Sequence, residues 1–199
     1  MLVCKYKFDS SIYADLIPVF NDGYIGYAVT DEIEGNIITR TIEADVLPTL
    51  MRFGQVWVSG EVQHDSSKCL LEILDMNTNE LTNCHSMFRW CNNLTNMNCN
   101  WNTSKVTNMQ HMFYNCQNLT SLDVSNFDTS NVPNMYCMFH NCSNLTQLDV
   151  SNFDTSKVEN MNSMFYGCKN LTQLDVGNFD TSKVTNMRSM FWNCKNLTQ

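Results

Sequence analysis

The closest approach to a reactive constellation lies between residues 137 and 142. Cys137, His140 and Cys142 have a short spacing that resembles a fragment of a zinc site, but no fourth ligand accompanies them. Cys142 also belongs to a regular cysteine series, which predicts a place in the core instead. The histidines share no repeat position and are therefore expected to be exposed: His64, His85, His111 and His140.

Signals of catalysis are missing from the rest of the sequence as well. No nucleophile stands with a base in a recognisable motif, and the 7 glycines form no phosphate-binding loop. We therefore predict that the protein is not an enzyme and that it carries no metal and no cofactor.

Three aspartates recur at one position of a repeated segment. Asp123, Asp149 and Asp175 each lie between a Leu and a Val, so they point outward if this Leu-x-Val pattern is a strand. Carboxylates on adjacent strands stand about 4.8 Å apart and repel each other, which would raise their pKa values and favour a cation or a basic ligand. The competing interpretation is a solvated acidic face that keeps a sheet soluble.

The predicted binding surface is this outward strand face, because repeat proteins commonly bind along such an array. It is acidic and rich in amides, which suits a polar or basic protein patch, or a glycan, better than an apolar peptide. Its candidate residues are Asn96, Asn98, Ser121, Asp123, Ser125, Gln147, Asp149, Ser151, Gln173 and Asp175. The second candidate location is the aromatic edge, formed by Tyr114, His140, Tyr166 and Trp192.

Further polar series are assigned structural roles. Asp128, Asp154 and Asp180 each precede Thr-Ser, which is expected to cap the following turn, while Lys157 and Lys183 are expected to form local ion pairs. Stacked asparagines are expected to satisfy backbone groups of turns. They form two series: Asn83, Asn108, Asn134, Asn160 and Asn186, and Asn93, Asn118, Asn144, Asn170 and Asn196.

All these series arise from one internal repeat. The pair Met-Phe recurs at Met87, Met112, Met138, Met164 and Met190, in steps of 25, 26, 26 and 26 residues. Self-similarity at this period is typical of a solenoid, in which each unit buries its apolar side against its neighbours. A cysteine follows each Met by four residues and is expected to be a buried thiol of a core ladder. These cysteines are Cys91, Cys116, Cys142, Cys168 and Cys194.

Each unit combines two hydrophobic periods. The segment Leu145-x-x-Leu148-x-Val150 ends in the alternation of a strand, whereas apolar residues of 158–171 recur every three or four positions. The second spacing predicts a short helical or 3₁₀ segment.

The predicted fold class is α+β: a leucine-rich-repeat solenoid with one short strand and one short helical or 3₁₀ segment per coil. A small β-rich domain of residues 1–62 precedes it and either caps the solenoid or attaches it to a larger assembly. Residues 63–199 hold a degenerate first repeat, from about residue 68, then about four repeats, the last incomplete. Strands are expected in the first domain at residues 2–8, 24–30, 36–42 and 55–62.

The run Met-Phe-x-x-Cys-x-x-Leu-Thr resembles the Ala-Phe-x-x-Cys-x-x-Leu run of the BspA-like subclass of leucine-rich repeats. With Asn-Met-x-x-Met-Phe and Leu-Asp-Val-Ser-Asn-Phe-Asp-Thr-Ser, the unit is similar to the 25- to 26-residue repeat of bacterial surface proteins in that family. The similarity covers about residues 68–199. It implies display at the cell surface and adhesion to host or matrix proteins.

Composition narrows the choice of partners. The net charge of −8 and the lack of a basic cluster argue against nucleic acid and anionic membranes, and no apolar run approaches the roughly 18 residues of a membrane span. The leading hypothesis is an extracellular or cell-surface adhesion module. The first residues show no signal-peptide pattern, which favours the alternative of a phage or virion tail-associated receptor-binding protein attached through residues 1–60. Further repeats or a partner are expected to cover the C-terminal end.

Overall fold

The fold is seen in a computed structural model. The residues that it describes are 2–9, 19–20, 27–44, 51–52, 56–58, 61–64, 70–76, 78–97 and 101–198. In chain order, their strands are β1 (Leu2–Asp9), β2 (Val19–Phe20), β3 (Tyr27–Glu34), β4 (Ile37–Ala44), β5 (Met51–Arg52), β6 (Val56–Val58), β7 (Glu61–His64), β8 (Leu70–Met76), β9 (Asn96–Met97) and β10 (Ser121–Leu122).

An antiparallel sheet of four strands, in the order β3-β4-β1-β8, forms the N-terminal part. Tyr6 in β1 stands opposite Arg40 in β4 and Ile73 in β8. A two-residue turn joins β3 to β4, and its first residue, Gly35, has a φ of +60°, which residues with a Cβ rarely adopt. β3 and β4 therefore form an antiparallel hairpin.

The expected N-terminal strands appear with shifted limits. β1 and β4 nearly coincide with the predicted segments, whereas β3 begins and ends later than the predicted 24–30. The single strand predicted over 55–62 is instead divided into β6 and β7, which pair antiparallel. Small two-stranded pairs are also made by β2 with β5 and by β9 with β10.

Strand β8 carries the sheet past the boundary predicted at residue 62. Leu71, Leu74 and Asp75 match strand positions of the repeat, and the sequence therefore placed them in a degenerate unit. In the structure they belong to β8, where Asp75 stands opposite Lys5 of β1. The physical reason is that β4 occupies only one hydrogen-bonding edge of β1, and β8 fills the other. Pairing between repeat units begins at Asn83, which bridges to Asn108 in parallel.

Successive repeat units are joined through alternate backbone amides. The amides of Ser163, Phe165 and Gly167 donate to carbonyls of the following unit, at N···O distances of 2.8–3.0 Å. The amides between them donate three residues back within their own unit, as Met164 does to Met161. The same alternation occurs in the preceding units, so each unit fixes the register of the next.

The segment predicted to be helical is a series of turns. Neither an α-helix nor a 3₁₀-helix occurs within the described residues, and none of these residues builds a helix suited to crossing a membrane. Ser163 and Gly167 have φ values of +54° and +73°, and their equivalents in the other units are also positive. Each unit has two left-handed residues four positions apart, and amides near them donate to the next unit. Together these features interrupt the hydrogen bonds that a helix would require. Apolar residues three and four positions apart are still buried together, because these turns place their side chains on the same side of the chain, toward the core.

A single apolar core runs through the repeat units and reaches the N-terminal sheet. Leu148, Val150, Met164 and Phe165 are buried in it, and Tyr6 of β1 belongs to the same cluster. One phenylalanine per unit stacks on the next, with ring centroids 5.6–5.7 Å apart and interplanar angles of 3–12°. The stacked rings are Phe88, Phe113, Phe139, Phe165 and Phe191.

The cysteines of the repeat lie beside this stack as free thiols. The other cysteines whose side chains are described are also free thiols. Cys116, Cys142 and Cys168 are buried, and each Sγ donates to the carbonyl of a phenylalanine in the preceding unit at 3.0–3.2 Å. Burial raises their pKa well above the usual value, so they stay protonated and unreactive. Cys194 is half-buried and makes the same bond to Phe165.

The ring stack predicts a difference between inner and outer units. Phe139→Ala removes a ring packed on both faces and should lower the free energy of unfolding by about 3–5 kcal/mol. Phe191 is 39% exposed, and its only stacked ring neighbour among the described residues is Phe165, so Phe191→Ala should cost less than half as much. Urea unfolding followed by circular dichroism measures both, and equal losses would contradict the two-sided packing.

Candidate functional site

The outward face has the alternation that the sequence predicted, but among the described residues from 101 onward only Ser121–Leu122 is a strand, and Gln147 and Gln173 form an isolated parallel bridge. The name strand face is kept for this surface. Leu122, Leu148 and Leu174 point into the core, while the residues on either side of each are exposed. Ser121 pairs in parallel with Asn96, and Gln147 bridges to Gln173, so equivalent side chains of consecutive units lie side by side. The described candidates that share this exposed face are Ser121, Asp123, Ser125, Gln147, Asp149, Ser151, Gln173 and Asp175.

Two candidates fall partly or wholly outside this description. Asn96 is described only as a strand residue paired with Ser121, and Asn98 lies outside the described residues. The face is therefore defined by three consecutive units, from Ser121 to Asp175.

This face contains an open concavity of about 510 Å³. Asp123, Asp149 and Asp175 supply its carboxylates, and Gln147 and Gln173 supply amides. The edges of Leu122, Leu148 and Val150 form apolar parts of its lining. The arrangement therefore offers charge and hydrogen bonds along its length, with apolar contacts between them.

The predicted rise in the carboxylate pKa values is wrong for Asp123 and Asp149. The hydroxyl and amide of Ser125 donate to Asp123 and lower its pKa, and the repulsion from Asp149 has a smaller opposing effect. Ser151 lowers the pKa of Asp149 in the same way. Each aspartate closes a tight turn, with the amide two residues later donating to Oδ1 at 2.9 Å. Hydrogen bonds to the charged form thus outweigh repulsion across solvent, and both carboxylates remain ionised at neutral pH.

The second aspartate series uses the same turn. The amides of Ser130, Ser156 and Ser182 donate to Oδ1 of Asp128, Asp154 and Asp180 at 2.8–3.0 Å. The aspartate, rather than the predicted Thr or Ser, thus caps this turn. The threonine hydroxyl instead donates to the next unit, as Thr129 does to the carbonyl of Asp154.

Lysine pairing differs from the prediction at Lys157, whereas the charge of Lys183 helps to lower the pKa of Asp180, after the larger contribution of the Ser182 hydrogen bonds. Lys157 Nζ donates to Asn131 Oδ1 of the preceding unit at 2.9 Å. Its charge still helps to lower the pKa of Asp154, after the larger contribution of the Ser156 hydrogen bonds. The side chain therefore links two units instead of forming the expected contact within one.

The asparagine series perform the predicted structural work. Oδ1 of Asn83, Asn108, Asn134, Asn160 and Asn186 accepts the amide two residues later at 2.9–3.1 Å. In the other series, Asn144 donates to Asn118, and Asn170 donates to Asn144. These amides are committed to turns and to contacts between units.

The aromatic edge is a column of stacked side chains. Tyr114 lies over His140 with ring centroids 4.6 Å apart and an interplanar angle of 11°, and His140 lies over Tyr166 at 4.5 Å and 2°. The guanidinium carbon of Arg89 is 5.2 Å from the Tyr114 ring centroid. Trp192, at the same repeat position, is 65% exposed. Within the column the ring faces pack against one another. The first role of the column is therefore packing between adjacent units.

The expectation of exposed histidines is wrong for His85, His111 and His140, which are half-buried. His111 lies edge-on to His85, Tyr114 and Tyr136, with ring centroids 4.8–5.7 Å away. Sequence reasoning missed this cluster because its contacts join neighbouring units. The sequence did indicate the adjoining aromatic edge, because one repeat position is occupied only by planar groups, from Arg89 to Trp192.

His111 and His140 are held neutral. Burial lowers the pKa of His111 to about 4, and the charges of Arg89, His85 and His140 act in the same direction. Burial alone lowers the pKa of His140 to about 4. At neutral pH these imidazoles are therefore uncharged.

The apparent zinc fragment separates into two environments. Cys137 Sγ lies 3.6 Å from His140 Nδ1, whereas Cys142 donates into the core to the carbonyl of Phe113 at 3.2 Å. Burial raises the pKa of the Cys137 thiol. Over the described part of the chain, no group of three or more metal-ligating side chains comes together.

These features define a protein of regularly repeated units with an exposed polar strand face. Comparison with known families identifies the family to which this protein belongs. The chain matches the family described as "Mycoplasma protein of unknown function, DUF285" over residues 61–149 and 120–199, which together span well over half of its length. The chain therefore belongs to this family. No curated protein and no solved structure matches it.

The buried imidazoles predict a loss of stability in mild acid. Because the pKa of His111 and His140 is lowered on folding, the unfolded chain binds more protons between about pH 6.5 and 4, and the free energy of unfolding falls as the pH falls through this window. Asp123 and Asp149 have pKa values below their usual 3.8 and act at lower pH.

The test uses residues that other units carry at these positions. His111→Ser matches Ser163, and His140→Tyr matches Tyr166. The double variant should show a flatter dependence of its urea midpoint on pH between 6.5 and 4 than the unaltered protein. An unchanged slope would show that these histidines do not carry the effect.

Proposed function

We propose that residues 63–199 form a leucine-rich-repeat solenoid of the BspA-like class, closed at its N-terminal end by the four-stranded sheet. Support comes from the parallel pairing of successive units, their alternate amide bonds and the continuous ring stack. Tyr6, Phe8 and Ile42 of the sheet share the core of the units. That packing supports a capping role for the sheet.

The function proposed for this solenoid is non-catalytic binding of the adhesion type, at the cell surface or outside the cell. The observation that carries the proposal is the polar strand face, on which three consecutive units present equivalent side chains over one concavity. Asp123, Asp149 and Asp175 form one row, and Ser121, Gln147 and Gln173 form another. A face of this regularity suits a ligand that spans several units.

The chemistry of the face defines the class of ligand. The carboxylates of Asp123 and Asp149 stay ionised at neutral pH and attract a cationic group, while the neighbouring amides pair with hydroxyls or peptide groups. A basic protein patch is therefore the preferred partner, and a glycan is the second. The net charge of −8 opposes nucleic acid.

Several weak contacts should act together on such a face. An exposed ion pair contributes only about 0.2–1 kcal/mol, so a single unit binds weakly. Units held in fixed register raise the effective concentration of the second and third contacts. Affinity should therefore depend on the number of units engaged and should fall as salt rises.

The decisive experiment changes Asp123, Asp149 and Asp175 to Asn together. Asparagine can still accept the turn amide through Oδ1, as Asn160 does from Asn162, so the fold should be retained. Binding of a fluorescent (Gly-Lys)₆ peptide, measured by anisotropy at low salt, should weaken by about tenfold, the size expected for three exposed ion pairs.

A matched control is available on the second aspartate series. Asp128, Asp154 and Asp180, each changed to Asn, undergo the same change in charge at the same kind of turn. This variant should retain most of the affinity. Equal losses in both variants would reduce the effect to net charge, and no loss in the first would remove the site from the strand face.

A further inference from the structure

The edge cluster, formed by Arg89, His85, His111 and His140, gathers groups that are cations or become cations on protonation, in a chain whose net charge is −8. The charged groups that act on His111 are Arg89, His85 and His140, and each is a cation or becomes one on protonation. Arg89 is the charged group that also acts on Tyr114, Tyr136 and Cys137 from nearby. The local field is therefore opposite in sign to that of the strand face.

Two buried nitrogens in this cluster have no hydrogen-bond partner among the described residues. They are Nε of Arg89 and Nδ1 of His111. Both side chains contact the same ring, because the Arg89 guanidinium carbon and the His111 ring centroid lie 5.2 Å and 5.4 Å from the centroid of Tyr114. Buried polar groups are normally paired, and Nε of Arg89 can only donate, so it lacks an acceptor. Nδ1 of His111 also donates once the imidazole is protonated.

We propose that Arg89, His111 and His85 form a binding site for an oxyanion, either a phosphate or a carboxylate group, and that this site fills as the pH falls. Arginine provides a planar fork of donors that fits such an anion, and a charge-assisted hydrogen bond to it is stronger than one to water. His85 lies 5.7 Å from His111 between ring centroids and adds a second imidazole. His140 is stacked between two tyrosines, so its role is packing in the column and it is not part of the proposed site.

Proton uptake couples to anion binding at this site. Burial and the neighbouring cations lower the pKa of His111 to about 4, and a bound anion offsets the repulsion from those cations. Binding therefore favours protonated His111, and protonation in turn favours binding. The other titratable groups around it, Tyr114, Tyr136 and Cys137, have raised pKa values and stay neutral in this range.

The test follows the titration of the histidine ring protons by NMR in three buffers of equal ionic strength. Inorganic phosphate, acetate and chloride serve as the probes. The midpoint of His111 should rise in phosphate relative to chloride by about one pH unit, which is a tenfold gain in proton affinity. A similar rise in acetate assigns carboxylates as ligands too, whereas a rise in phosphate alone assigns phosphate groups.

Substitutions tie the effect to the cluster. Arg89→Tyr removes the charge but supplies the ring that Tyr114 and Tyr166 place at the same repeat position, and it should abolish the phosphate effect. Arg89→Gln checks the result without adding a ring. Arg188→Gln, at an exposed arginine of the last unit, should leave the effect unchanged.

The proposal fails if His111 titrates with the same midpoint in phosphate and chloride, because water alone would then satisfy both nitrogens. It fails equally if a folded Arg89→Tyr protein, confirmed by circular dichroism, keeps the phosphate response. Neither outcome affects binding at the strand face, where Asp123, Asp149 and Asp175 lie.

Discussion

The structure depends on one constraint: in the turn segment of each unit, every second amide donates to the following unit. Ser163, Phe165 and Gly167 show the pattern, and the residues between them donate backwards instead. A unit therefore cannot satisfy its own backbone and is completed by its neighbour. Equivalent residues are forced into rows, which explains why the phenylalanines stack nearly parallel and why each buried thiol reaches the preceding unit.

The same constraint gives the polar residues two duties. Asp123 closes a turn through Oδ1 and also contributes charge to the exposed concavity. Asn160 closes an equivalent kind of turn without adding charge. The backbone requires only an acceptor at such a position, so the choice between carboxylate and amide is left to the surface. A repeat can thus vary its surface chemistry while its turns stay the same.

The sequence predicted much of this arrangement because its period is strict. The buried positions of Leu148, Met164 and Phe165 and the turns at the asparagines follow from spacing alone. Apolar residues three and four positions apart predict a short helical or 3₁₀ segment, but they fit a series of turns equally well. Only the left-handed conformation of residues such as Ser163, which no residue type dictates, separates the two.

Other features could not be predicted from a single unit. Strand β8 resembles a repeat strand in its leucines, but the open edge of β1 decides its partner. The half-buried state of His111 and His140 comes from rings in adjacent units, and the lowered pKa of Asp123 comes from a hydroxyl two residues away. Each of these depends on a contact that spacing does not encode.

Repeat units of equal length also have a consequence for inheritance. Near-identical segments in a gene favour unequal recombination, and a product that gains or loses a whole unit of 26 residues keeps its reading frame and every type of contact between units. Such an event would lengthen or shorten the exposed face by one strand spacing, about 4.8 Å, without altering its chemistry. The number of units could then differ among related strains, and the length of the exposed face would change in steps of one unit.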